Sequence, residues 1–348
     1  AAAFDGITTS TGNLTITGNT PATLAELTAI NAATSGAVVL NAATIAANLG
    51  GTATELVAAF DGITTSTGDL TITGTDPATV AELITLNAAT SGAVALNPQT
   101  IIANLGGSAT NLAAAFEGID TSTGDLTITG TTPATVAQLI TINDATSGNV
   151  VLNPQTIAAN LGGSATELAA AFDGINTSTG ALTITGTTPA TIAELLTINA
   201  ATSGNVALNA ETIAANLDGT AANLAAAFNG ITTSASTLTI AGTTPATFAE
   251  LMTINAATSG NVVLNAQTIA QNYDDTAANL AAAFDGINTS TGDLTITGTD
   301  PATVAQLITI NEATSGAVVL NAQTIAANLN GTATELAAAF DGITTSTG

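Results

Sequence analysis

Phenylalanine returns along this chain at one fixed interval: Phe4, Phe60, Phe116, Phe172, Phe228, Phe284 and Phe340 stand 56 residues apart, with no insertion between them. Six such periods and 12 further residues make up the 348, and the last 12, AAAFDGITTSTG, repeat the first 12 letter for letter. A strict period of this length excludes an ordinary globular core, in which every position meets a different environment. It is the signature of an array whose units hide their apolar faces only against their neighbours. Neither end departs from the pattern as a polar terminal cap would. The expectation is therefore a single array over residues 1–348, six repeats plus 12 residues, that is a slice of a longer array or a subunit stacking end to end.

Read from Gly68, one period holds two strand-like runs and three helix-like ones. In LTIT, Leu70 and Ile72 alternate with Thr71 and Thr73, as the period-2 pleat requires. The same run recurs with Leu126 and Ile128, and with Leu182 and Ile184. The second run, VVLN or VALN, follows a glycine present in every repeat (Gly36, Gly92, Gly148, Gly204, Gly260, Gly316) and turns Val94 and Leu96 inward.

Helix starts are marked by a capping oxygen before proline, as in Asp76-Pro77 and Thr132-Pro133, and Val80, Leu83 and Ile84 then share a face. A short helix is expected after Asn97, carrying Ile101 and Leu105 inward and stopping at Gly106-Gly107. A third begins at the capping box Ser164/Glu167 and ends after Phe172 at Asp173-Gly174.

Leu14 to Val38 is 24 residues and Val38 to Leu70 is 32, each long enough for a strand and a helical return to a parallel neighbour. These spacings predict an α/β repeat solenoid with a continuous parallel sheet, two strands per 56-residue repeat, and helices on the opposite side. At about 4.8 Å per strand a repeat would advance roughly 10 Å and six repeats on the order of 60 Å.

Composition narrows the function. The chain has no lysine, arginine, histidine or cysteine, and its 25 Asp plus Glu give a formal charge of −25. Imidazole, thiolate, Schiff-base and guanidinium chemistry are excluded, and hydroxyls have no base to activate them, so no enzyme is expected. Phosphate neutralisation needs cations, which argues against nucleic-acid partners. Mean hydropathy is +0.47, yet Thr, Asn or Gly breaks every apolar run well short of the roughly 20 residues of a spanning helix, so no membrane insertion is expected.

Two constellations remain as candidate sites. Asp61, Asp173 and Asp285 follow the recurring Phe, and Asp69, Asp125 and Asp293 stand across the same loop; together they offer hard oxygen ligands to Ca2+ along one edge. The alternative is an Asx turn ending a helix. No other cofactor is expected. The columns lapse at Asn229, Ala181 and Thr237, so any calcium would act as diffuse charge neutralisation. The second constellation is the threonine ladder Thr71, Thr73, Thr127, Thr129, Thr183, Thr185, Thr295 and Thr297, expected to form an uncharged outward sheet face able to meet ice, a glycan or another rod, or simply to suit an exposed strand. Asn48, Asn104, Asn160, Asn216, Asn272 and Asn328 are expected to form a buried ladder within the short helices, bonding backbone between coils. Phe248, Met252 and Tyr273 each occur once at their place in the repeat and read as drift in the core.

Units of the consensus form TPATVAELITINAATSG, and GTATELAAAFDGI at 331–343, resemble the Ala/Thr/Gly/Asn-rich repeat regions of giant bacterial cell-surface proteins, the adhesin-like and surface-layer-like chains of cyanobacteria and proteobacteria. The resemblance spans the whole chain and implies secretion, an extracellular structural or adhesive role and often calcium. The chain lacks the calcium nonapeptide of such proteins. The function expected is the rod or filament body of an extracellular or cell-surface assembly that partners itself, with an adhesive module for glycan or ice as the alternative.

Overall fold

The computed structural model describes residues 10–344 and 346, so that Phe4 and Asp5 lie outside it. The fold is α/β, and strand and helix follow one another in the same order in each repeat. One repeat runs through the strand Leu49–Gly51, the helix Ala53–Phe60, the strand Leu70–Ile72, the helix Val80–Ala89, the strand Val94–Ala95 and the short helix Pro98–Ile101. The described residues fall into two compact units, Ala1–Leu161 with Ala170–Gly180, and Gly162–Ala169 with Ala181–Gly348. Within the first, the helices Leu24–Ala32, Ala53–Phe60, Val80–Ala89, Ala109–Phe116 and Val136–Asp144 pack in file, each on the next. Within the second, the same file runs from Ile192–Ala201 to Ala333–Ala339.

The sheet differs from the expected ribbon. A full repeat has three strands rather than two, all parallel, and among the described residues they form separate three-stranded pieces, with a two-stranded one at Leu14–Thr15 and Val38–Val39, instead of one continuous sheet. Leu105–Gly107 is the extra strand, in register with Leu126–Ile128, which in turn pairs with Val150–Val151. The Gly-Gly pair reads as a helix stop, but the helix ahead of it closes after one turn, at Ile101. Leu105 therefore belongs to the strand. Gly106 is exposed, and a side chain built there would meet Thr127 and Thr129 only at ordinary contact distance, 3.6 Å or more, so this strand position has room for one. The expected 32-residue return thus conceals a strand of its own.

Helix caps also settle three positions later than the Asp-Pro signal suggests. Thr79, not Asp76, caps Val80–Ala89, in a reciprocal box with Glu82. The carbonyl of Asp76 is taken instead by the side-chain amide of Asn97, at 2.9 Å. Leu83, Leu86 and Ala89 are fully buried while Val80 and Ile84 are half-buried, because the helix is flanked on two sides by its neighbours in file. Phe116 closes its own helix and is buried with Leu112. Each such side chain removed from water is worth about 1.5–3 kcal/mol.

Neutral polar side chains then tie each coil to the next. Asn97 caps its short helix by accepting the Thr100 N–H, and its amide donates to the carbonyls of Gly74 and Asp76 on the preceding coil. Thr100, fully buried, accepts the Ala78 N–H at 2.8 Å. Thr90 donates to the Gly68 carbonyl at 2.7 Å. Asn87 donates to the carbonyls of Ala114 and Glu117, closing the carboxyl end of the helix packed against its own. The Asn87 arrangement recurs at Asn31, Asn143, Asn199, Asn255 and Asn311. The Asn48 column does bond backbone between coils, with Asn48, Asn104 and Asn272 accepting the N–H of Asp69, Asp125 and Asp293. Its members are exposed and lie past the short helix, neither buried nor helical as expected.

Close stacking also fixes two glycines per repeat. A Cβ on Gly68 would sit 2.0 Å from the Ala47 carbonyl oxygen, and one on Gly92 would sit 2.6 Å from that of Gly68. The core drift is concerted: Tyr273, in place of a leucine, sets its ring 5.7 Å from Phe284 and 6.1 Å from Phe248, and donates its hydroxyl to the Ala246 carbonyl at 2.7 Å. Burial, with Glu250 adding repulsion, pushes that phenol up to about 12.

Replacing Thr100 by valine keeps the shape and strands the Ala78 N–H. The expected cost is about 1–3 kcal/mol, read as a lower denaturant midpoint. Thr71→Val, on an exposed position, is expected to stay within about 0.5 kcal/mol. Equal midpoints for the two variants would mean that the buried threonine contributes nothing beyond its volume.

Candidate functional site

The two aspartate columns have different duties. Asp61, Asp173 and Asp285 follow a helix or its closing Phe, with exposed side chains, and it is their main-chain carbonyls that are engaged, by Asn31, Asn143 and Asn255. The turn after each is made by Gly62, Gly174 and Gly286, all at positive φ near +70°, where a Cβ would be strained. Asp69, Asp125 and Asp293 instead use their carboxylates, accepting the N–H of Ala93, Asn149 and Ala317 at 3.0, 2.9 and 2.8 Å. Among the described residues, no three acidic side chains converge as a metal-binding group.

Glutamates mostly serve as helix caps. Glu26, Glu55, Glu167 and Glu335 each accept the backbone N–H and hydroxyl of the Thr or Ser three residues earlier, which holds their carboxyls below the ordinary value. For Glu82 and Glu194 burial pushes upward. The capping bonds, together with a hydroxyl from Thr54 or Thr166 on the neighbouring helix, outweigh it and leave the carboxyl lowered. Gln138 fills the same box and donates its amide to Thr110 at 3.0 Å.

The threonine face runs along the middle strand of each sheet. Thr71 and Thr183 are exposed and Thr127 and Thr295 half-buried; Thr73, Thr129, Thr185 and Thr297 are exposed just past the strand ends. Their rows are not adjacent. Register places Gly50, Thr71 and Ala95 side by side, then Gly106, Thr127 and Val151. In the second unit the first place is taken by Asp218, beside Thr239, and by Asp274, beside Thr295. The face is therefore not free of charge, because the strand hidden in the Leu-Gly-Gly motif contributes to it and its open glycine position accepts aspartate. The third place carries the exposed valines Val39, Val151, Val263 and Val319, each about 46% accessible.

Beside the third strand lies a recess of about 660 Å3, bounded by residues 146–152 and 173–177 and lined by Asn143, Asn149, Asn176 and Asp173. Smaller counterparts occur in the second unit, beside Val206 and beside Val318. The recess offers amides, hydroxyls and one carboxylate. No helix among the described residues is long and apolar enough to cross a membrane.

The sequence reading missed the Asn87, Asn97 and Thr100 columns. The signal was present, since each of these residues recurs at all six equivalent places. Compared with known proteins, the chain matches no family model, and no curated sequence matches it.

Because the capping glutamates are more acidic folded than unfolded, the unfolded chain binds more protons in the carboxylate range. Their contribution is complete above the unfolded value and is lost as pH falls through the folded one. Thermal unfolding followed from about pH 6 to about pH 3 is expected to lose less stability in a chain with Glu26, Glu55, Glu82, Glu167, Glu194 and Glu335 changed to Gln than in the parent. Parallel curves would remove the caps as the source of acid sensitivity.

Proposed function

We propose that the chain is a structural protein, a segment of the rod or filament body of an extracellular or cell-surface assembly. The observation that carries this reading is that the polar side chains recurring in every repeat are used to hold coil to coil. Asn31, Asn87, Asn143, Asn199, Asn255 and Asn311 make the same pair of bonds each time. A protein built to act at one place concentrates its unusual chemistry there; here the chemistry is spread evenly, which suits a role that depends on length and cohesion. No catalytic role is assigned. Placement outside the cell rests on the resemblance of the repeats, and on a chain that offers trypsin neither lysine nor arginine.

Self-association fits the same reading. A chain of charge −25 repels its own copies at low ionic strength, and salt shortens that repulsion to a Debye length of about 10 Å at 0.1 M. Calcium then acts by neutralising the scattered carboxylates, Asp61 and Asp173 among them, rather than by filling a cage.

The second reading, an adhesive surface, draws support from the rows in which an exposed valine stands beside a threonine, as Val151 beside Thr127 and Val319 beside Thr295. Hydroxyl and methyl groups suit ice or a glycan in the row of Gly106, Thr127 and Val151, whereas Asp274 adds a charge beside Thr295.

Electron microscopy and light scattering of the purified chain across a salt series test the first reading. Assemblies that grow with added NaCl are expected, and Mg2+ and Ca2+ at matched ionic strength are expected to act alike. Dispersed single chains at every salt concentration would overturn the structural role, and a response to Ca2+ alone would overturn the diffuse account of the metal. Thermal hysteresis or glycan capture by the dispersed chain would instead select the adhesive surface.

A further inference from the structure

The loop after each recurring Phe carries the sequence Thr-Ser-Thr-Gly in every repeat but one, where Thr233-Ser234-Ala235-Ser236 takes its place. In the loops at 66–68, 122–124, 178–180 and 290–292 it clasps the end of the short helix on the preceding coil with four bonds to a single carbonyl. Thr67 and Gly68 give their N–H groups, and Ser66 and Thr67 their hydroxyls, to the Ile45 oxygen. The same four reach Ile101 from Ser122, Thr123 and Gly124, and Ile269 from Ser290, Thr291 and Gly292.

Ser236 breaks that clasp. It occupies the place of Gly68 and Gly292, where a Cβ would lie 2.0 Å from a carbonyl oxygen of the coil beneath. The lower coil responds. Its short helix runs one residue further, Ala210–Ala214, and is capped by Ala215 in an extended conformation. The Ser236 hydroxyl donates to the Ala215 carbonyl. Of the four bonds to the Ile213 oxygen only one remains, from the Ala235 N–H at 2.9 Å. Ala235 has no hydroxyl to offer, and the Ser234 hydroxyl is buried without a partner. One residue further on, Thr237 replaces the aspartate that accepts a main-chain N–H from the next coil in the loops of Asp69, Asp125 and Asp293.

From this comparison we infer that the coil contact between residues 209–217 and 231–241 is a built-in weak joint, where the second unit opens first under heat, denaturant or tension. Stability in a repeat array is close to a sum of nearest-neighbour terms, so opening begins at the poorest interface and leaves the others closed. In an array under load such a joint yields before the clasped contacts do.

Amide hydrogen exchange of the whole chain, read on peptic peptides, tests this with the chain as its own control. Peptides covering 231–241 are expected to exchange about tenfold faster or more than those covering 119–129 and 287–297, the gap of about 1.4 kcal/mol that defines one decade. The double variant Ala235→Thr, Ser236→Gly is expected to bring 231–241 to the rate of its counterparts and to raise the temperature at which it first opens. Equal rates in the three loops would overturn the inference. So would a double variant that folds, as judged by unchanged exchange at 119–129, but leaves 231–241 fast.

Discussion

Everything in this fold depends on hydrogen bonds between coils, most of them made by neutral amides and hydroxyls. A parallel coil exposes main-chain N–H and C=O groups at every corner, and inside a stack these cannot turn to water. Thr100 answers the Ala78 N–H, Asn97 the carbonyls of Gly74 and Asp76, Asn87 those of Ala114 and Glu117. An ion pair in the same places would bring the cost of burying both charges. Amides and hydroxyls bring a smaller one, met in full by their partners. The coils are therefore tied to one another without lysine or arginine.

Packing follows from the same arrangement. With the corners tied, the long helices can lie in file and the strands in register, so Leu70, Ile72, Leu83, Leu86 and Phe116 are buried to the same degree as Leu126, Ile128, Leu139, Ile142 and Phe172 one period later. Large side chains enter only together: Tyr273 fits where it does because Phe248 and Phe284 are there to receive its ring. Where a substitution lacks such company, as at Ser236, the hydrogen bonds rearrange instead.

Much of this was legible in the letters. The period, the α/β alternation, the inward Leu and Ile of LTIT and the Ser164/Glu167 cap all follow from local rules. The strand at Leu105–Gly107 was hidden because its own residues say the opposite: two glycines after an apolar run mark a helix end, and only pairing with Leu126–Ile128, 21 residues away, makes them a strand. The cap lies at Thr79 because Thr79 and Glu82 close a reciprocal box there, while the Asp76 carbonyl is held by Asn97. Of the candidate surfaces, the position of the threonines was readable, but not the aspartates that join them, because Asp218 and Asp274 lie on the strand that went unseen. Partners some 21 residues away decided each case, beyond the reach of local rules.

The capping boxes hold one further consequence. Thr79 with Glu82 and Thr135 with Gln138 build the same reciprocal bonds, one with an ionised oxygen and one with an amide. An exchange between the two removes or restores a unit of charge and leaves the backbone where it was. Surface potential is thus a quantity this architecture can adjust one repeat at a time, independently of shape and without rebuilding a single coil.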